Sequence, residues 1–154
     1  GFIFGPGDRN TGALLDLLRR GLAPLVGRGG NRLPLTFVRS VADALLAAVQ
    51  TPGIEGRAYN VARDWPVTQR QFYRQLARAA GLHPLLLPVP YQLLAGAGFA
   101  AEAVASKLGG EPAFSRSAAA LLGLDSDFPT RRIEEELGWR PALPFEEAVA
   151  AAVG

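Results

Sequence analysis

The longest uncharged stretch of the chain, residues 79–101, is cut by Pro84, Pro88 and Pro90. Proline inside a helix removes a backbone hydrogen bond and clashes with the preceding turn. Only 91–101 is left to form one uncharged helix, and a membrane span needs about twenty apolar residues. The stretch therefore reads as a buried or partly buried helix, and no membrane partner is expected. The same punctuation recurs along the chain, with 18 Gly and 12 Pro in 154 residues. Many short elements joined by tight turns follow from it.

Composition narrows the chemistry further. Apolar residues make up 49% and charged residues 19%, so a single domain with a real core is expected. The absence of cysteine removes disulfides, thiol nucleophiles and thiolate metal sites. One histidine, His83, argues against a zinc or iron centre, and no metal is expected. Fifteen of the sixteen cations are Arg, but the net charge is only +2. Without a clustered basic patch, no nucleic-acid partner is expected. The chain has no methionine and opens Gly1-Phe2-Ile3-Phe4 in a strand-like run. It reads as a piece of a longer protein.

Periodicity and capping residues give a series of elements. Residues 2–4 read as a strand end, followed by the turn-rich Gly5-Pro6-Gly7-Asp8-Arg9-Asn10. A helix starts near Thr11 with Leu14, Leu15, Leu18 and Leu22 on one face, and stops at about Gly21. Leu25-Val26 and Leu33 to Val38 read as extended segments on either side of a turn at Gly29-Gly30-Asn31. Ser40, with Asp43 three residues on, predicts an N-cap, and 57–61 predicts a strand. Thr68 and Gln71 predict a capping box opening a helix to Ala80. An edge strand at 85–89, a helix at about 91–107, and short helices at 115–122, 130–137 and 145–153 complete the series.

Motifs for independent catalysis are missing. Gly5 to Gly12 follows a strand and opens a helix, as a dinucleotide loop does, but Pro6 has no N–H and Asp8 would face the phosphates with an anion. Gly96-Ala97-Gly98-Phe99-Ala100-Ala101 matches G-x-G-x-x-A with no strand before it and reads as close helix packing. No G-x-S-x-G elbow is present, and His83 sits in a loop. The acidic pairs at 134–136 and 146–147 read as solvated helix faces. Arg70, Arg74 and Arg78 repeat at i, i+4 and i+8, a stripe open to a phosphate-rich partner or simply to water. Gly27 to Arg32 presents Arg28, Asn31 and Arg32 at a turn, groups suited to an anionic ligand.

In order along the chain, four segments resemble the C-terminal half of the extended short-chain dehydrogenases/reductases, the NAD-dependent epimerase/dehydratase family. GFIFGPGDRN resembles the strand and loop after that family's catalytic helix, and PLVGRGGNRLPLTFVRSVADALLAAV its hairpin and following helix. RAYNVARDWPVTQRQFYRQLARAAG resembles its next strand, Pro-x-Thr loop and helix. TRRIEEELGWRPALPFEEAV resembles its closing Leu-Gly-Trp-x-Pro segment. The resemblance implies an α/β fold, the helix-rich C-terminal part of an extended Rossmann-type enzyme with a few short strands. It makes 1–154 a substrate-binding portion whose dinucleotide-binding portion lies outside this chain. It implies Phe2 and Phe4 near the cofactor, Asp8, Arg9 and Asn10 beside the substrate, and Asn31, Arg32, Phe37 and Arg39 on the far wall of the substrate pocket.

The departures from that family carry as much information. The glycine-rich fingerprint and the Tyr-x-x-x-Lys pair are absent; the only lysine is Lys107, with Ala103 where the Tyr would stand. No catalytic residue is therefore assigned within the chain, and by itself it should not transfer hydride. The position where nucleotide-sugar members often carry Arg holds Leu33, with Arg32 one residue early, and Pro129 replaces a usual Asp. The resemblance implies NAD or NADP for the parent enzyme and a small-molecule substrate, either a nucleotide-sugar or an apolar alcohol or ketone. It also implies a cytoplasmic location and a homodimer for the parent. The rival expectation is a non-catalytic ligand-binding or regulatory protein reusing the fold.

Overall fold

The computed structural model describes residues 2–62, 64–110, 120, 122, 123, 125 and 128–154. Among them the order is β1 (Phe2–Phe4), α1 (Arg9–Arg19), β2 (Leu22–Val26), β3 (Leu35–Phe37), α2 (Val38–Gln50), α3 (Gln69–Ala79), β4 (Leu85–Val89), α4 (Tyr91–Leu108), α5 (Arg131–Leu137) and α6 (Phe145–Val153). The fold is α/β and helix-rich. The helix expected at 115–122 falls mostly outside the described residues.

The strands form two separate parallel pairs. β1 pairs with β3 in the register Phe2↔Leu35 and Phe4↔Phe37. β2 pairs with β4 from Leu22↔Leu85 to Val26↔Val89. The hairpin expected across residues 25–38 does not form, because the segment after the turn finds a different partner. Leu33 N–H donates to Val67 O (3.1 Å), Gln69 N–H to Asn31 O (3.0 Å) and Arg70 N–H to Gly29 O (3.0 Å). Orphan donors at the start of α3 are satisfied in this way by the loop that would have turned the hairpin.

Other local signals meet mixed outcomes. The Thr68–Gln71 capping box forms as read, with Gln71 N–H on Thr68 Oγ1 and Thr68 N–H on Gln71 Oε1 (2.7 Å). Asp8 caps α1 by accepting from Thr11 N–H (2.8 Å) and Thr11 Oγ1 (2.7 Å), and Gly21, at φ 81°, ends that chain direction. Ser40 is not an N-cap. The helix α2 begins two residues earlier, and Ser40 is buried with its hydroxyl accepting from Ala142 N–H (3.1 Å). Residues 57–61 do not form a strand. The Arg57 and Tyr59 side chains instead bind Glu136 of α5.

One core unites most elements. Phe4 of β1 is fully buried and meets Phe72 of α3 (5.4 Å between ring centroids), Phe37 of β3 (5.6 Å) and Trp65 (6.0 Å). Leu25, Leu35, Leu76, Ala148 and Val149 pack around them. Truncating one such aromatic to Ala typically costs about 3–5 kcal/mol. A smaller cluster of Ala44, Ile133 and Trp139 ties α2 to α5. Among the described residues, no helix is long and apolar enough to cross a membrane.

Candidate functional site

Parallel pairing places the chain's candidate ligand residues at strand ends. Because Phe4 and Phe37 are opposite in register, the loop 5–10 and the start of α2 emerge side by side at the carboxyl end of the β1–β3 pair. In open α/β sheets, ligands bind at such carboxyl ends. The approach is close: a Cβ on Gly5 would stand 2.5 Å from Val38 Cγ1. Asp8, Arg9, Asn10, Phe37 and Arg39 are thus brought to one end of one sheet.

Their side chains divide by availability. Arg9, Asn10 and Arg39 are exposed, and Arg39 Nε lies 4.0 Å from Asp43. The Asp8 carboxylate is engaged as the α1 cap. Phe4 and Phe37 are buried in the core, whereas Phe2 is half-buried and meets Phe72 edge-on at 6.3 Å. The phenylalanines therefore set the sheet end from behind rather than presenting rings to solvent.

Asn31 and Arg32 stand elsewhere, after β2. Asn31 Nδ2 donates to Leu122 O, and Arg32 N–H donates to Asp125 Oδ1 (2.6 Å). Asn31 Oδ1 is buried and accepts no hydrogen bond from the described residues. The turn before them is braced by Arg70, whose Nε and Nη2 both donate to Arg28 O (3.0 and 2.7 Å). That bond removes Arg70 from the basic stripe, leaving Arg74 and Arg78 exposed. Leu33, at the position where nucleotide-sugar members often place Arg, is buried.

Two polar residues at these junctions, Gln69 and Asp64, carry no side-chain signal in the sequence, and Ser40 plays a role other than the expected N-cap. Gln69 is fully buried, accepts from Val26 N–H (2.9 Å) and donates to Tyr73 Oη (3.2 Å), locking α3 to the end of β2. Ser40 links α2 to the C-terminal segment. Asp64, from the loop before α3, accepts from Phe37 N–H (3.0 Å) and donates its own N–H to Leu35 O (2.8 Å). Burial pushes the Asp64 carboxyl up from its ordinary range, partly offset by the Ser40 hydroxyl and the Phe37 N–H. Only the Asp64-Trp65-Pro66 turn signal hinted at a special backbone there.

A dinucleotide does not fit the loop 5–12 of this chain. The Thr11 N–H and Gly12 N–H, which would meet a pyrophosphate, are taken by Asp8, and Pro6 has no donor. Among the described residues no three His, Cys, Asp or Glu side chains cluster to hold a metal.

No family model matches the chain. It is 26% identical, over 98% of its own length and 38% of the relative's, to the 3beta-hydroxysteroid-dehydrogenase/decarboxylase isoform 1 of Arabidopsis thaliana. It is 28% identical, over 96% of its length and 40% of the relative's, to the 2-alkyl-3-oxoalkanoate reductase of Shewanella oneidensis. The human epimerase family protein SDR39U1, solved with NADPH, superposes on 99% of this chain and 46% of that one, with a TM-score of 0.73 and 20% identity. The resemblance to the NAD-dependent epimerase/dehydratase family holds. The chain spans about two-fifths of the length of these curated relatives.

Proposed function

We propose that the chain is the substrate-binding portion of an NAD(P)-dependent oxidoreductase of the extended short-chain dehydrogenase/reductase type, acting on an apolar alcohol or ketone. The dinucleotide-binding portion and the acid/base pair belong to sequence before Gly1, and the chain alone transfers no hydride. One observation carries this reading: an alignment over nearly the whole chain fills only 38–40% of relatives that are a steroid dehydrogenase/decarboxylase and a 2-alkyl-3-oxoalkanoate reductase. The engagement of the α1 N-terminus by Asp8 supports placing the nucleotide elsewhere.

Exposed apolar surface supports the same division. Val38, Leu45, Leu46 and Val49 form one exposed stripe of α2, and β1–β3 is a two-stranded parallel sheet of three-residue strands. Parallel sheets are normally covered on both faces and rarely stand as isolated pairs. The dinucleotide-binding portion is the occupant of that stripe and of the open sheet edge.

Asp8, Arg9, Asn10 and Arg39 line the substrate side at the β1–β3 end with Phe37 behind them, Asn31 and Arg32 contribute from the separate turn after β2, and Phe2 and Phe4 face the cofactor side. Buried Leu33, in place of an anion-binding Arg, favours an apolar substrate over a nucleotide-sugar. The test is NAD(P)H oxidation by the chain joined to the sequence encoded immediately upstream. Turnover of a long-chain 3-oxo acid or a ketosteroid, with none of a UDP-sugar, is the expected result. Turnover of the UDP-sugar alone selects the nucleotide-sugar reading. Upstream sequence lacking both the fingerprint loop and Tyr-x-x-x-Lys selects the non-catalytic binding protein.

A further inference from the structure

The helix α2 carries no cap of its own. Its N-cap position is Phe37, whose side chain makes no capping bond, and its first turn has no acidic residue. A helix beginning this way leaves orphan N–H donors. Here the missing acceptor arrives from outside the helix. Asp64 Oδ2 takes the Phe37 N–H at 3.0 Å, and the Asp64 backbone N–H donates to Leu35 O at 2.8 Å. One residue thus grips both ends of the β3–α2 junction.

The grip has neighbours that make it directional. Ser40, in the first turn, is buried and held by the C-terminal segment through Ala142 N–H and Trp139 Nε1. Phe37 is fixed against Phe4, and Gly5 lies against Val38. Arg39, two residues after Phe37, is the first charged side chain of the junction and is exposed. A shift of α2 about its start would move Arg39 relative to Arg9 and Asn10 while leaving the core aromatics in place. The second carboxylate oxygen, Oδ1, is buried and accepts no hydrogen bond from the described residues. Keeping a buried, under-satisfied acceptor costs stability, so a role in geometry accounts for it better than a role in holding the fold together.

We propose that Asp64 is a positioning residue, a cap supplied to α2 from a distant loop that sets Phe37 and Arg39 against the loop 5–10. The positional claim stands on this chain's own contacts; its consequence for substrate rests on the functional reading above. Asp64→Ala removes the acceptor, and Asp64→Asn keeps an oxygen in nearly the same place without the charge.

Amide hydrogen exchange is the direct readout. In Asp64→Ala, exchange at Phe37 and at Ala42 and Asp43, the first amides bonded within α2, should rise about tenfold, while Leu76 in α3 and Leu25 in β2 keep their protection; tenfold corresponds to about 1.4 kcal/mol. Asp64→Asn should recover at least half of the lost protection. A uniform rise across all five amides, or none at the α2 start, overturns the proposal. In the chain joined to its upstream sequence, Asp64→Ala should raise KM several-fold with kcat within about twofold, and Asp64→Asn should restore KM. A fall in kcat at unchanged KM overturns the positioning role. If the unsubstituted joined protein turns over no substrate, the functional reading fails, and the exchange result decides the Asp64 proposal by itself.

Discussion

Trp139 Nε1 donates a 2.8 Å hydrogen bond to Ser40 O, joining residues 99 positions apart in a buried contact. It anchors the Leu-Gly-Trp-x-Pro segment on the first turn of α2, where the candidate substrate residues begin. Gly138, in the left-handed region at φ 64°, ends α5 and turns the chain so that Trp139 can enter. The closing segment is therefore a brace for the site end of the fold rather than a tail.

Replacing Trp139 by Phe keeps much of the apolar volume but removes the indole donor from Ser40 O, which keeps its place in the α2 ladder. The expected loss is about 0.5–1.5 kcal/mol in urea unfolding. Trp139→Ala adds a cavity beside Ala44 and Ile133 and should cost about 3–5 kcal/mol. Equal midpoints for Trp139→Phe and the unsubstituted chain would show that the bond contributes nothing.

Gln69 makes a comparable prediction inside the main core. Gln69→Leu preserves shape but leaves the Val26 N–H without its acceptor. A destabilisation of about 1–3 kcal/mol is expected, against about 0.5–1.5 kcal/mol for Tyr73→Phe, which loses only the Gln69 contact. Chemical denaturation of both variants orders them; the reverse order would contradict the assignment.

Gly5 is required by space, not by backbone angle, since its φ is not positive and only Val38 blocks a side chain. Gly5→Ala should destabilise by about 1–3 kcal/mol. Val38 is substantially exposed, so Val38→Ala costs little, and the Gly5→Ala/Val38→Ala pair should recover most of the loss. A double-mutant cycle with no coupling would place the clash elsewhere.

Acid stability follows Glu136. Its carboxylate accepts from Tyr59 Oη (2.6 Å), Arg57 Nη1 (2.8 Å) and Arg132 Nε (3.2 Å), and the Tyr59 and Arg57 bonds hold its pKa down to about 2 from 4.5. A folded pKa below the unfolded one adds stability above pH 4.5 that is lost as pH falls through about 2. Glu136→Gln should flatten unfolding free energy against pH in that window. The cluster is partly open to water, so added salt should shrink the difference. An unchanged slope in Glu136→Gln would contradict it.

Local signals proved the most legible in the sequence. The Thr68–Gln71 box, the Gly21 and Gly138 stops and the 85–89 strand depend on a few neighbouring residues, and each formed. Pairing partners were not legible, because the 29–31 carbonyls prefer the α3 N-terminus, a choice set by residues some forty positions downstream. Ser40 resembled a cap because its residue type fits one; its bonds to Trp139 and Ala142 are visible only in three dimensions. Asp64 and Gln69 were hidden for the same reason, since a buried polar side chain and an exposed one look alike in sequence. At the candidate site, the meeting of the loop 5–10 with Phe37 and Arg39 at one sheet end follows from parallel pairing of β1 with β3, which no local signal displays, and the burial of Phe4 and Phe37 in the core is equally invisible in the sequence.

Surface substitution separates the chain's own fold from its proposed companion. Val49 is 86% exposed on α2, so Val49→Asp should change the chain's stability by less than about 0.5 kcal/mol. The same change in the joined protein should loosen packing of the two portions, lowering the thermal midpoint by several degrees. An equal, small effect in both would mean that the stripe stays open to water.

The division of labour between this chain and a separate dinucleotide-binding portion is tested most directly by NADPH fluorescence titration. The chain alone should give no saturable change, and the chain joined to the sequence encoded upstream should bind with a defined stoichiometry of one. Saturable, tight NADPH binding by residues 1–154 alone would contradict the account.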